Sequence, residues 1–288
     1  MKITLIGNST GSAISRLRDE ARELGVDFKA VSLASVILEV RNNTLRLTSL
    51  KHENILNSDC YMFRGIGDAD QEVMIIAKYL QKHGSIIIEE KTTSGALMMD
   101  KIFLQATEES VPTPSYFMVQ SLEALQSIIT GIGYPVVMKS TIGSMGKNVA
   151  LVESEAELYQ QYELLGKRVI IQQYFAVDAD VRAIVIGGKF VGAYQRTRSD
   201  GEFRMNRPGS TKQTITLPPE AVEICEHTAR SQKIEIAGID LIQHQNDWYV
   251  LEINTSPQFR QFEKCTKINV AKLIIEYAID KYALKSKE

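Results

Sequence analysis

Cysteine is scarce in this chain, with three in 288 residues at positions 60, 225 and 265. An odd number at such wide spacing supports neither a disulfide framework nor a metal cluster, so each reads as an isolated thiol. The four histidines (His52, His83, His227, His244) show no ligand spacing, and none is given a role. No Ser-His-Asp or Cys-His arrangement is visible. An excess of one charge is also missing. Lys and Arg number 33 against 35 Asp and Glu, so nothing drives binding to nucleic acid or an anionic membrane. No apolar run approaches the roughly 20 residues of a membrane span, and the apolar start is too short for a signal peptide. The expectation is a cytoplasmic protein with no membrane and no nucleic-acid partner, and with homo-oligomerisation left open. What is present is ordinary for a soluble globular enzyme: 44% hydrophobic and 24% charged residues, in a chain long enough for about two domains.

The first third alternates strand and helix. Apolar runs at 2–6, 27–33, 59–63 and 85–89 read as strands, with helical periodicity over 12–24 and 70–83. That alternation predicts an α/β domain with a parallel sheet over 1–92. The turn after the first strand, Gly7-Asn8-Ser9-Thr10-Gly11, lacks the G-x-G-x-x-G spacing and is read as a tight turn. A helix near 94–109 leads to Val111-Pro112-Thr113-Pro114, a natural break. That helix as a linker and the small module after the break together make up 93–170; the module has a helix from Ser121 to Gly131, strands at 135–139 and 149–152, and a capping box at Ser154–Glu157. The rest, 171–288, reads as antiparallel strands (169–173, 181–186, 189–196, 236–243, 248–253) with helices near 219–232 and 269–284. The fold class is therefore α/β in its first part and α+β overall.

Three stretches carry chemistry. Asp240 and Glu252 lie on two apolar strands meeting around Gln245-Asn246-Asp247. A hairpin centred on Asn246 sets them opposite one another, and the two-residue period puts Asn254 on the same face. Ile239, Leu241, Leu251 and Ile253 then form the core face. Three hard oxygen donors on one side of a sheet suit Mg²⁺, whose other ligands are phosphate and water; a solvated sheet edge is the alternative. Lys139 ends a strand before a glycine-containing loop, Gly143-Ser144-Met145-Gly146. Such a loop lets backbone N–H groups approach phosphate oxygens, although a hairpin with incidental glycines has the same composition. Between these lie Gln172-Gln173-Tyr174-Phe175, Asp180-Val181-Arg182, Arg196, and Arg204-Met205-Asn206. Asp180 and Arg182 share a strand face, and an acid facing ribose beside arginines facing phosphate is chemically consistent.

The order of these elements resembles the ATP-grasp superfamily, and within it the RimK-type glutamate ligases. The matching motifs are Asp100-Lys101, the Lys139–Gly146 loop, Asp180-Val181-Arg182, Gly201–Asn206 and Glu252-Ile253-Asn254-Thr255-Ser256-Pro257. Arg64-Gly65-Ile66-Gly67 echoes a shorter family element nearer the start. The resemblance implies an ATP-grasp fold: an N-terminal parallel α/β domain, a small lid, and a C-terminal antiparallel sheet, with the nucleotide between the last two. It implies ATP and two Mg²⁺ ions, with Mn²⁺ as a substitute. Lys101, Lys139 and residues 143–147 would hold phosphates, and Gln172, Gln173, Tyr174 and Phe175 would line the adenine pocket. Asp180 would face the nucleotide. Arg182, Arg196, Arg204 and Asn206 would serve the phosphates and the transferred phosphoryl group, with Arg196 and Arg204 as the catalytic pair. Asp240, Glu252 and Asn254 would bind metal. The reaction implied is amide formation between an amino acid such as glutamate and a carboxylate on a protein, peptide or metabolite. A peptide-crosslinking enzyme, a small-molecule kinase and a non-catalytic ATP-binding module are the alternatives. Gln173 stands where the family usually has Glu, and Arg207–Thr211 lacks the basic glycine-rich run of ligases that act on an acidic tail.

Overall fold

The computed structural model describes residues 1–50, 55, 57–67, 69–94, 110–140, 149–166, 168–198 and 209–285. The expected helix near 94–109 lies outside them, as do Lys101, Gly143, Ser144, Met145, Gly146, Arg204 and Asn206.

The first part comprises β1 (Lys2–Gly7), α1 (Ser12–Glu23), β2 (Asp27–Ser32), β3 (Val36–Arg41), β4 (Thr44–Ser49), β5 (Cys60–Arg64), α2 (Asp70–Lys82) and β6 (Ile86–Ile87). Strands β2-β1-β5-β6 form a parallel sheet. All five residues of β5 are buried, the run expected of a strand covered on both faces. One face packs under α1 through Ile14, Leu17 and Ala21. The other packs under α2 through Val73, Ile76, Ala77 and Leu80. Both sets follow the helical period. The β3–β4 hairpin was absent from the sequence reading, yet its signal is present: alternating apolar residues flank Asn42-Asn43. Both asparagines adopt positive φ, 49° and 58°, as a two-residue type I′ turn requires.

The middle module holds β7 (Tyr116–Val119), α3 (Leu122–Ile128), β8 (Val136–Ser140), β9 (Val149–Val152), α4 (Glu155–Leu165) and β10 (Val169–Gln173). Its antiparallel sheet runs β7-β10-β8-β9. Ser121 and Ser154 cap the two helices, their hydroxyls accepting from the Ala124 and Glu157 N–H groups. Glu157 reaches back to the Glu153 N–H at 2.8 Å, one residue before the position a standard capping box would satisfy. Because β10 pairs with β7 and β8, the expected 170/171 boundary falls inside a strand of this sheet.

The last part contains β11 (Ala179–Ile186), β12 (Lys189–Thr197), β13 (Thr211–Ile215), α5 (Pro219–Ser231), β14 (Ile236–His244), β15 (Asp247–Asn254), α6 (Arg260–Thr266) and α7 (Val270–Lys285). Its sheet runs β13-β12-β11-β14-β15, antiparallel throughout. One face packs under α5, with Ile239, Leu241, Val250 and Ile253 against Ala221, Cys225 and Ala229. Helix α7 returns to the first part, sharing one core with α1 and β1 while touching Ile184, Ile186 and Ile236 of the last sheet. No described helix is long and apolar enough to cross a membrane.

Candidate active site

Two hairpins build the site, and each relies on a bulge. Gly187 and Gly188, both at positive φ (58° and 76°), close a two-residue turn between β11 and β12. Continued unbroken, that register would set Gln195 against Asp180. The pairing instead slips by one residue at Ile184/Val185, and Arg196 faces Asp180. The β14–β15 hairpin repeats the device. Its turn is Gln245-Asn246 with His244 opposite Asp247, so the hairpin is not centred on Asn246. Unbroken, that register would set Leu251 against Asp240. A slip between Asp240 and Leu241 brings Glu252 there and Asn254 opposite Gly238. The expected Asp240–Glu252 pairing therefore stands, but by another route. The core face is corrected: Trp248, Val250 and Ile253 are buried, while Leu251 is only half-buried at the bulge. A bulge leaves one extra residue unpaired and so transfers every later side chain to the opposite face.

The outcome is a polar row on the face away from α5. Asp180 and Arg182 of β11 meet Arg196 of β12 and Asp240 of β14, with Glu252 next along. Asp180, Arg196 and Asp240 are each less than a tenth exposed. Arg182 donates two hydrogen bonds to Asp240, at 2.5 and 2.7 Å. Arg196 donates two to Asp180, both at 2.6 Å, and a third to Asp240 at 3.0 Å. Buried charges persist only when matched in this way. Burial raises the Asp180 carboxyl to about 6 even beside Arg196. Burial acts in the same direction on Asp240, but the charges of Arg182 and Arg196 outweigh it and hold that group at about 2. Asp240 is thus an anion at neutral pH.

The donor chemistry decides whether metal and phosphate fit. A carboxylate has about four lone-pair sites. The arginines occupy three on Asp240, leaving one on Oδ2 for a cation. The Glu252 carboxylate and the Asn254 amide oxygen follow on the same face. Among the described residues no three His, Cys, Asp or Glu side chains cluster, so a cation here would rest on two carboxylates, an amide, and outside oxygens. That composition fits Mg²⁺, which keeps water and phosphate ligands. The Nη1 groups of Arg182 and Arg196 meet no carboxylate among the described residues, which leaves donors for phosphate oxygens.

In the middle module, Lys139 Nζ donates to Gln172 Oε1 at 2.6 Å. Gln172 is buried, and its Nε2 has no hydrogen-bond partner among the described residues. A buried donor without an acceptor is uncommon, and the adenine or phosphate groups of a nucleotide offer one. Gln173 is exposed, with its N–H donated to the Ser115 carbonyl. The Phe175 ring is taken up by packing, stacked on His244 (centroids 4.5 Å apart) and against Tyr249; any adenine contact there falls to backbone. His244 thus gains a structural role. Lys212, on β13 opposite Arg196, escaped the sequence reading because Thr211–Ile215 is too polar to stand out as a strand.

The family model described as the RimK-like ATP-grasp domain matches residues 89–278. The chain belongs to the RimK-like ATP-grasp family. A probable alpha-L-glutamate ligase of Legionella pneumophila (strain Corby) is 34% identical over 176 residues, 59% of this chain and 58% of that protein. The chain thus spans less than two thirds of that relative's length. A probable alpha-L-glutamate ligase 2 of Hahella chejuensis is 28% identical over 97% of this chain and 95% of its own. Among solved structures, the ATP-grasp ligase PsnB complexed with minimal precursor, Mg and ADP superposes with a TM-score of 0.73 at 15% identity, covering 98% of both chains. That likeness establishes the ATP-grasp fold for this RimK-like chain.

Proposed function

We propose that this RimK-like protein is an ATP-dependent carboxylate–amine ligase. In this reading the γ-phosphoryl group of ATP passes to a substrate carboxylate, giving an acyl phosphate and ADP. An amine then attacks the acyl carbon, phosphate leaves, and the amine gives up its proton as the amide forms. The supporting observation is the row of paired arginines and oxygen donors along one sheet face. Phosphoryl transfer of this kind depends on positioning and charge neutralisation more than on an acid–base pair.

Each group has a part in the proposal. Asp240, Glu252 and Asn254 would hold Mg²⁺, which when bound neutralises charge on the β- and γ-phosphates. The outer amino groups of Arg182 and Arg196 would receive the transferred phosphoryl oxygens, with Asp180 fixing Arg196. Lys139, steered by Gln172, would meet a phosphate nearer the base. Lys101, residues 143–146, Arg204 and Asn206 would complete the nucleotide contacts. The names of the Legionella and Hahella relatives favour glutamate as the amine, added to a peptide, protein tail or metabolite carboxylate. A second reading is side-chain crosslinking within a peptide, which would use the same activation of a carboxylate by phosphoryl transfer. The test is ADP release across a panel of amino acids and short peptides, with mass spectrometry of products. Amine-dependent ADP release with an amide product supports the ligase. Amine-independent release with a phosphorylated product would instead make the protein a kinase, and nucleotide binding without turnover a binding module.

A further inference from the structure

Arg64 ends the last long strand of the N-terminal sheet, far in sequence from the oxygen donors, and is 6% exposed. Its Nη2 donates to the Pro257 carbonyl at 2.5 Å, and its guanidinium lies 5.6 Å from the centre of the Phe259 ring. A cation within about 6 Å of a ring centre is attracted to its face, so the arginine holds the 257–259 segment at two points. Burial lowers its pKa to about 10, with only Glu89 acting the other way, a costly placement for a merely structural residue.

Pro257 is also fixed from its other side. A Cβ built on Gly238 would fall 2.6 Å from Pro257 Cβ and 3.4 Å from Arg182 Nη1. Gly238 pairs with Asn254 and lies two residues before Asp240. The loop leaving Asn254 is therefore clamped between a guanidinium of the N-terminal sheet and a bare backbone in β14. We propose that Arg64 is a positioning residue for the metal end. By holding Pro257 down on Gly238 it sets the exit of β15, and with it the amide of Asn254 beside Asp240 and Glu252. This rests on the ligase reading above, with Asp240, Glu252 and Asn254 as the cation donors.

Two substitutions release the clamp from opposite sides. Arg64→Met keeps the volume while removing both contacts; Gly238→Ala wedges Pro257 away without touching Arg64. The readout is Mn²⁺ affinity by electron paramagnetic resonance, in the presence of a non-hydrolysable ATP analogue. ADP binding in EDTA and the urea unfolding midpoint are measured in parallel. Losing a support behind a metal ligand typically weakens metal binding by about 10-fold or more. That loss is expected in both variants, with metal-free ADP binding close to wild type and a cooperative unfolding transition retained at a somewhat lower midpoint. Arg64→Lys, which can still donate to Pro257, should recover most of the affinity. Wild-type Mn²⁺ affinity in both variants, or an equal loss of metal-free ADP binding, overturns the proposal. Glu252→Ala in the same titration separates the two levels. If it too binds Mn²⁺ normally, the metal-end reading fails. If it alone loses Mn²⁺, only the role of Arg64 falls.

Discussion

Replacing Arg196 by methionine tests whether the buried row is held together by charge. Arg196 donates both side-chain hydrogen bonds that Asp180 receives among the described residues, and one of the three that Asp240 receives. Without it Asp240 keeps Arg182, but Asp180, 8% exposed, loses its nearest counter-charge. Removing one member of a buried pair costs about 3–5 kcal/mol because the other charge is stranded. That is a large share of a total stability of about 5–15 kcal/mol. With a urea m-value of about 3 kcal/mol/M, the midpoint should fall by about 1 M or slightly more. Trp248, the single tryptophan, is buried on the last strand of the same sheet and reports the transition. The loss should depend on pH. Burial already lifts the Asp180 carboxyl to about 6, and without Arg196 it must rise further. At pH 5 protonating Asp180 costs the variant little and spares it the bare buried charge; at pH 8 the proton must be taken up far above the carboxyl's unfolded pKa, so the cost is larger. Adding Asp180→Asn should restore part of the pH 8 stability. A variant within about 1 kcal/mol of wild type at pH 8, or one losing equally at both pH values, refutes the reasoning.

Glu252→Ala is expected to abolish ADP release in the ligase assay while the protein still unfolds cooperatively in urea, as for a half-buried side chain on the rim of the sheet. Lys139→Met removes one charge-assisted contact of about 1.5–3 kcal/mol, so nucleotide binding by calorimetry should weaken about 10- to 100-fold. Glu89 predicts a pH slope. Burial first, and then the neighbouring Glu235 charge, raise its carboxyl from 4.5 to about 8. The folded state therefore holds a proton that the unfolded state has released across that window, and the group's contribution to stability falls as pH rises from about 4.5 through 8. Urea midpoints between pH 5 and 9 should decline less steeply in Glu89→Gln than in wild type; equal slopes would rule this out.

The amino-acid sequence by itself determined the elements with strong local causes. Strand–helix alternation with continuous apolar strands dictated the parallel sheet, serines at helix starts dictated caps, and clustered oxygen donors marked Asp240, Glu252 and Asn254. The hairpin at 36–49 was equally legible through Asn42-Asn43. Short or polar elements were not: β13 and α6 owe their form to the strands beside them, since local propensity alone is weak. Tertiary structure alone decided three matters. The slips at Ile184/Val185 and Asp240/Leu241 put Arg196 and Glu252 on the working face in place of Gln195 and Leu251. Pattern cannot announce a bulge, because a two-residue period reads equally well in either register until neighbouring strands and the core choose one. Arginines expected to face phosphate proved to be tied first to Asp180 and Asp240, a pairing that needs burial to be worth forming. And Arg64 came to rest on Pro257, 193 residues away, a distance over which only the packed fold carries information.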